Sequence, residues 1–258
     1  MTVDSARVAG AVLDTSRRSA YAAMLREDGH DNLDGYLHEA AHLFEGVPLE
    51  GRTLLEIGSG KGLMTMYAAM QGASRVVSME PEMIGSRSGM ISEQEQRLAK
   101  LGIQSVEFLT ADFNAWEPQG RTFDIVMCRA AINHLHASDQ HALHHAPTYQ
   151  GYLEVVRRML RVTAPGGAVL ITDACRYAFF TATRNLGIRR PWDRSRTGID
   201  WRHHQNPQTW ARIFREAGFS TVDVRYPLPY RLRKYRGLVD TAAANFFLLG
   251  SFILRARR

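Results

Sequence analysis

The chain has 258 residues, 45% hydrophobic and 22% charged, a balance that fits one folded α/β unit with a small cap and excludes a largely disordered or fibrous protein. Two cysteines, Cys128 and Cys175, are too few for a disulfide framework or a zinc knuckle and read as small buried hydrophobes. The net charge of +6 is uneven, because residues 175–258 carry 17 Arg and Lys against 5 Asp and Glu. A basic end of this kind suits an anionic substrate or surface. The arginine bias, with only Lys61, Lys100 and Lys234 as lysines, also has a plain compositional explanation.

The start, MTVDSARVAG, lacks the basic-then-apolar pattern of a secretory signal. The charge-free stretch Thr241 to Leu254 falls short of the roughly 20 residues needed to span a bilayer. A cytoplasmic location without a transmembrane segment is therefore expected.

In chain order, Ser16 to Glu27 and Leu33 to Glu45 read as amphipathic helices able to cover a site in the core. Apolar runs bounded by turn residues predict five buried parallel strands at Thr53 to Ile57, Arg75 to Glu80, Val106 to Ala111, Phe123 to Ala130 and Ala168 to Thr172. Between them, helical spacing marks Leu63 to Gln71, Glu82 to Leu101 and Tyr149 to Val162, the last stopping at Ala164-Pro165-Gly166-Gly167. Residues 176–206 lose this rhythm and read as an inserted lid. Pro207 to Ala217 then forms a helix ending at Gly218, and strands at Thr221 to Tyr226 and Asn245 to Ala256 close the chain.

The expected architecture is a Rossmann-like, doubly wound, seven-stranded sheet with an antiparallel last strand. Its parts are a helical cover (1–48), a ligand-binding core (49–175), the lid (176–206) and a C-terminal helix and strands that complete the core (207–258).

The informative segment is Glu56-Ile57-Gly58-Ser59-Gly60-Lys61-Gly62, a buried strand running into a glycine-rich turn and then a helix. Such a turn needs positive φ at some positions, and side chains there would keep a ligand off the backbone. Lys61 is followed by Gly62 and not by Ser or Thr, which excludes a P-loop. At the next strand end, Glu80 in Val76-Val77-Ser78-Met79-Glu80-Pro81 can accept bonds from both hydroxyls of an adenosine ribose. Ala111-Asp112-Phe113 follows the third strand, with Asp112 suited to an adenine amino group and Phe113 to the ring. The fourth strand ends at Cys128-Arg129 beside them. A dinucleotide-dependent dehydrogenase fits less well: the third glycine comes two residues after the second, and Glu56 would repel a pyrophosphate while suiting a cationic amino acid.

These residues resemble the class I S-adenosylmethionine-dependent methyltransferase family. The likeness covers roughly residues 50–175: Glu56 to Gly62 matches the first motif, Glu80 the ribose acid, Ala111-Asp112-Phe113 the adenine segment and Pro165-Gly166-Gly167 the turn before the fifth strand. Ala217-Gly218-Phe219 extends it toward the sixth strand. The resemblance implies S-adenosylmethionine as cofactor, held by Glu56, Gly58, Ser59, Gly60, Gly62, Glu80, Pro81, Ala111, Asp112, Phe113, Cys128 and Arg129.

The resemblance also implies that the segment following the fourth strand, Arg129 to His136, faces the methyl group. His134 is then the first candidate base for a hydroxyl acceptor, since imidazole titrates near neutrality. Asp173 is the second catalytic candidate, able to orient a histidine or, with Asn133 or His134, to help hold a divalent metal. Asn133, Trp201, His203 and His204 are candidate substrate contacts, and His203 or His204 an alternative base. The remaining histidines of the 134–145 segment form no metal-ligand pattern.

The expected acceptor is a polar small molecule, such as a sugar or glycan hydroxyl. RNA or amine methylation and a non-catalytic S-adenosylmethionine-binding protein are the rivals. Nucleic acid is disfavoured because no RNA-binding module or amine-site motif is present. A homodimer is compatible with the sequence.

Overall fold

A computed structural model describes residues 15–82, 88–136, 138–179, 183 and 201–258. Seven strands, β1 (Thr53–Ile57), β2 (Arg75–Met79), β3 (Val106–Leu109), β4 (Phe123–Arg129), β5 (Thr163–Ala174), β6 (Thr221–Arg225) and β7 (Ser251–Arg257), form one sheet in the order β3-β2-β1-β4-β5-β7-β6. The first five run parallel, and β7 is antiparallel to both β5 and β6. The strand order reverses between β1 and β4, so their carboxyl ends open the crevice where doubly wound sheets bind ligands.

The central strands are apolar on both faces because helices cover both. Alternate residues divide between two clusters. Leu55, Ile57, Val126, Cys128, Val169 and Ile171 pack toward α5 (Ala146–Val162) and α6 (Pro207–Ala217), through Tyr152, Val156, Met159, Trp210 and Phe214. Leu54, Val76, Ile125, Met127 and Leu170 pack on the other side with Tyr21, Leu25, Leu43, Met66 and Leu98. The latter five come from α1 (Thr15–Glu27), α2 (Leu33–Leu43), α3 (Leu63–Met70) and α4 (Met90–Leu101).

Two expectations need correction. The strand predicted over Asn245 to Ala256 is split: Ala242–Leu248 forms α7, and only Ser251–Arg257 is strand. Its first half is alanine-rich with no alternation, Thr241 caps it by accepting the Ala244 amide at 3.2 Å, and Gly250 at φ 66° turns the chain into the sheet. The β5 strand starts earlier than expected, at Thr163, and absorbs Pro165-Gly166-Gly167 in a register shift against β4 between Phe123 and Ile125. No helix among the described residues is long and apolar enough to cross a membrane.

Candidate active site

At the end of β1, Gly58, Gly60 and Gly62 all adopt left-handed φ, at 71°, 54° and 72°. A Cβ on Gly58 would lie 2.7 Å from the Ala131 Cβ, and one on Gly62 would strike the Gln94 side chain. The turn is fastened from outside. The amides of Gly58 and Ser59 donate to the Met79 carbonyl, and the Gly60 amide donates to Glu80 Oε2 at 2.6 Å. Gln94, fully buried on α4, donates to the Gly60 carbonyl at 2.6 Å and to Ser59 Oγ at 3.0 Å while accepting from Ser78. Gln94 was not foreseen, because nothing in its helix's polar and apolar spacing sets it apart. Only the fold brings it to the glycines.

Glu56 is buried beneath the turn and accepts a 2.5 Å bond from the Thr65 hydroxyl. Burial pushes its carboxyl up to about 7, against the pull of Thr65 and Arg129. Such a carboxylate gains by meeting a cation. Glu80, at the end of β2, is 4% exposed.

The N-terminal helices close the other side. Tyr21 Oη donates to the Leu63 carbonyl at 2.7 Å. Asp28 takes bonds from Lys61 Nζ at 2.6 Å and from both terminal nitrogens of Arg97 at 2.6 and 2.9 Å. The resulting crevice, about 380 Å³, is lined by Asp28, His30, Tyr36, Glu56, the 58–61 turn, Met64 and Arg129.

The remaining residues expected to hold the cofactor fall differently. Asp112 is exposed and its Oδ1 accepts from the Asn114 and Ala115 amides at 2.7 and 3.2 Å; Ala111 and Pro81 are half-buried beside the two acids. Phe113, expected against an adenine ring, turns inward: it is 2% exposed in the core and lies under the Arg158 guanidinium, 5.7 Å from the ring centroid. Cys128 is likewise fully buried in the core, burial raises its thiol well above the ordinary range, and it is not among the residues lining the crevice.

A larger cavity of about 870 Å³ adjoins the crevice, and Tyr36, Met64, Arg129, Ala130 and Thr172 belong to both. At this junction Ala130 holds φ 50° and its amide donates to the Thr172 carbonyl at 2.7 Å. Four of its polar lining residues are His134, Asp173, His203 and His204. His134 lies in a 3₁₀ turn directly after β4 and is exposed, yet loss of water on its cavity side, with His203 nearby, holds its imidazole below the usual 6.5. Asp173 Oδ1 stands 3.5 Å from His204 Nε2, and burial lifts the Asp173 carboxyl to about 7. The His134 and His204 rings meet edge to face, 6.4 Å apart.

Asn133 is fully buried, and its Oδ1 accepts the Gln205 amide at 3.1 Å. Its Nδ2 and Asp173 Oδ2 have no partner among the described residues, although buried polar atoms are nearly always paired. The two roots of the predicted lid are stapled together: Tyr177 N donates to Asn206 Oδ1 at 3.2 Å, and Arg176 bonds the carbonyls of Arg202 and His204. Residues 180–182 and 184–200 lie outside the described residues, as does the Trp201 side chain. Among the described residues no group of three or more His, Cys, Asp and Glu could hold a metal ion.

The same cavity is lined by apolar Leu43, Leu228, Leu249, Phe252 and Ile253 and by Glu39 from α2, and Phe252 pairs with Asp173 across β5 and β7. Tyr36, Glu39 and Leu43 share one helical face at i, i+3 and i+7. An acid on the apolar stripe of α2 was the available sequence signal for this wall.

Sheet order, glycine turn, strand-end acids and adjoining cavity define an S-adenosylmethionine-dependent methyltransferase. A family model described as a methyltransferase domain matches residues 26–224, and the chain belongs to that family. Its fold recurs in a Haemonchus contortus phosphoethanolamine N-methyltransferase solved with phosphomonomethylethanolamine and S-adenosylhomocysteine, at a TM-score of 0.60 and 18% identity over 93% of this chain and 56% of that one. A Listeria monocytogenes protein assigned as an S-adenosylmethionine-dependent methyltransferase gives 0.58 and 15% over 87% and 97%. DhpI in complex with SAM and HEP gives 0.54 and 20% over 95% and 98%. No curated protein matches the sequence significantly.

Proposed function

We propose that the chain O-methylates a hydroxyl of a small molecule that has a polar end, such as a sugar ring, and an apolar remainder. The observation that carries this reading is the meeting of two compartments at Arg129, Ala130 and Thr172, one built on the glycine turn and the other holding His134 and Asp173. S-adenosylmethionine supplies an electrophilic methyl group, so the protein's share is alignment, exclusion of water and removal of the acceptor proton.

The residues present fit that cofactor. Bare backbone at Gly60 leaves room for it, buried Glu56 suits its ammonium, and Glu80 already orients toward the turn through the Gly60 amide. Of the residues expected here, Phe113 and Cys128 contribute packing.

His134 is the base: its depressed pKa leaves the imidazole neutral at pH 7 and free to take a hydroxyl proton. Asp173 and His204, beside the buried Asn133, form the neighbouring pair that orients the acceptor. His203 lines the same cavity, and Trp201 opens the 3₁₀ turn that carries it. No metal is required by this scheme.

Incubation with methyl-labelled S-adenosylmethionine and a panel of hydroxylated small molecules tests the reading. Label in an alkali-stable methyl ether is expected. Label confined to amines, carbon or RNA would contradict it.

A further inference from the structure

We propose that the segment Tyr230–Leu248, whose two ends are rooted in the wall of the larger cavity, is a docking surface for an anionic lipid bilayer. Both roots of the segment are cavity wall: Pro227, Leu228 and Pro229 precede it, and Leu249 and Ser251 follow it. It consists of a 3₁₀ stretch over Tyr230–Tyr235, a helical turn over Arg236–Val239 and α7.

Six large hydrophobic side chains are exposed among the described residues, and four lie here: Leu238 (75%), Tyr235 (59%), Phe247 (55%) and Phe246 (37%). Concentration of exposed apolar surface in one short segment marks an interaction site. The same segment exposes Arg231, Arg233, Lys234 and Arg236 against a single acid, Asp240. Arg236 is tied to Glu45, and Arg233 lies over the Tyr230 ring. Arg231 and Lys234 make no bond with the described residues and are available to an outside anion.

The chemistry of the partner follows from this mixture. Nucleic acid would engage the cations but leave Leu238 and Phe246 against water. An apolar protein groove would cover the leucine and phenylalanines but strand the cations. An acidic bilayer satisfies both, with guanidinium and ammonium groups among lipid phosphates and the apolar side chains below them, the two-signal pattern of peripheral membrane binding. Docking would bring the acceptor cavity to the membrane, which, on the acceptor reading above, matches its apolar wall to a lipid-soluble acceptor.

Sedimentation with vesicles tests this, using phosphatidylcholine alone and an equimolar mixture with phosphatidylglycerol. The full-length protein is expected to pellet with the mixed vesicles and stay soluble with phosphatidylcholine, and inorganic phosphate should not compete. Leu238→Ser with Phe247→Ser, and separately Arg231→Glu with Lys234→Glu, should each weaken binding roughly tenfold or more. Melting temperature and S-adenosylhomocysteine affinity should stay unchanged, because all four side chains are exposed. The proposal is overturned by absence of vesicle binding, by loss in the charge variant alone, or by competition from phosphate. It is equally overturned if the serine variant converts a dimer to a monomer in solution, which would make the patch a contact between copies. None of these readouts depends on methyl transfer.

Discussion

The crevice at the glycine turn and the cavity beside it share one wall but are built in different ways. The crevice is defined by backbone: three left-handed glycines, each held by fixed partners such as the Met79 carbonyl, Glu80 and Gln94. The cavity is defined by side chains from α2, the 130–134 turn, β5, the 203–204 turn and β7, elements distant in sequence. A cofactor common to a family can be held by backbone geometry, which leaves side chains free to vary with the acceptor.

That contrast predicts that acceptor-side changes alter turnover and donor-side changes alter cofactor affinity. The largest effect is expected for His134→Ala, with kcat falling about 10²- to 10⁴-fold and S-adenosylhomocysteine affinity unchanged, by initial rates and calorimetry. In the unmodified enzyme the acidic limb of the kcat/KM profile should lie below pH 6.5, since the His134 imidazole is depressed in the free protein. Equal loss of cofactor affinity would erase the distinction between the two halves.

Gly58→Ala should act in the opposite sense. The left-handed φ of 71° and the 2.7 Å approach to Ala131 impose about 1–3 kcal/mol of strain, or roughly ten- to hundredfold weaker S-adenosylhomocysteine binding. Glu80→Gln, which weakens the acceptor of the Gly60 amide, should cost about tenfold in the same titration. If either left cofactor affinity intact, the crevice would not be the donor site.

The smallest effect concerns stability. Asp173 is raised from 3.8 to about 7, so the folded state binds a proton more tightly than the unfolded chain. Its contribution is complete below about pH 4 and is lost as pH rises toward 7. Asp173→Asn should therefore gain melting temperature relative to the unmodified protein between pH 5 and pH 8. A constant difference across that range would mean that the buried carboxyl is not held protonated.

The backbone-defined half was the legible half. Gly58, Gly60, Gly62, Glu56 and Glu80 stand within 25 residues of one another, and glycine at a strand end has a direct conformational meaning. The five parallel strands were visible as apolar runs for the same local reason. An aromatic beside a strand-end acid is equally at home in the core, and for Phe113 only the Arg158 contact from α5 shows which way the ring turns. The Asp173–His204 pair joins residues 31 apart and depends on how residues 176–206 return to the sheet. The α7 helix was hidden in an apolar run whose length alone does not separate helix from strand.

The central claim is that the crevice at Gly58, Gly60 and Gly62 presents a methyl donor to the cavity through the opening at Arg129, Ala130 and Thr172. A crystal structure of the protein with S-adenosylhomocysteine tests it most directly. The sulfur is predicted to lie at that opening, with the ribose on Glu80 and the ammonium toward Glu56. A sulfur turned away from the cavity, or an empty crevice at saturating ligand, would contradict it.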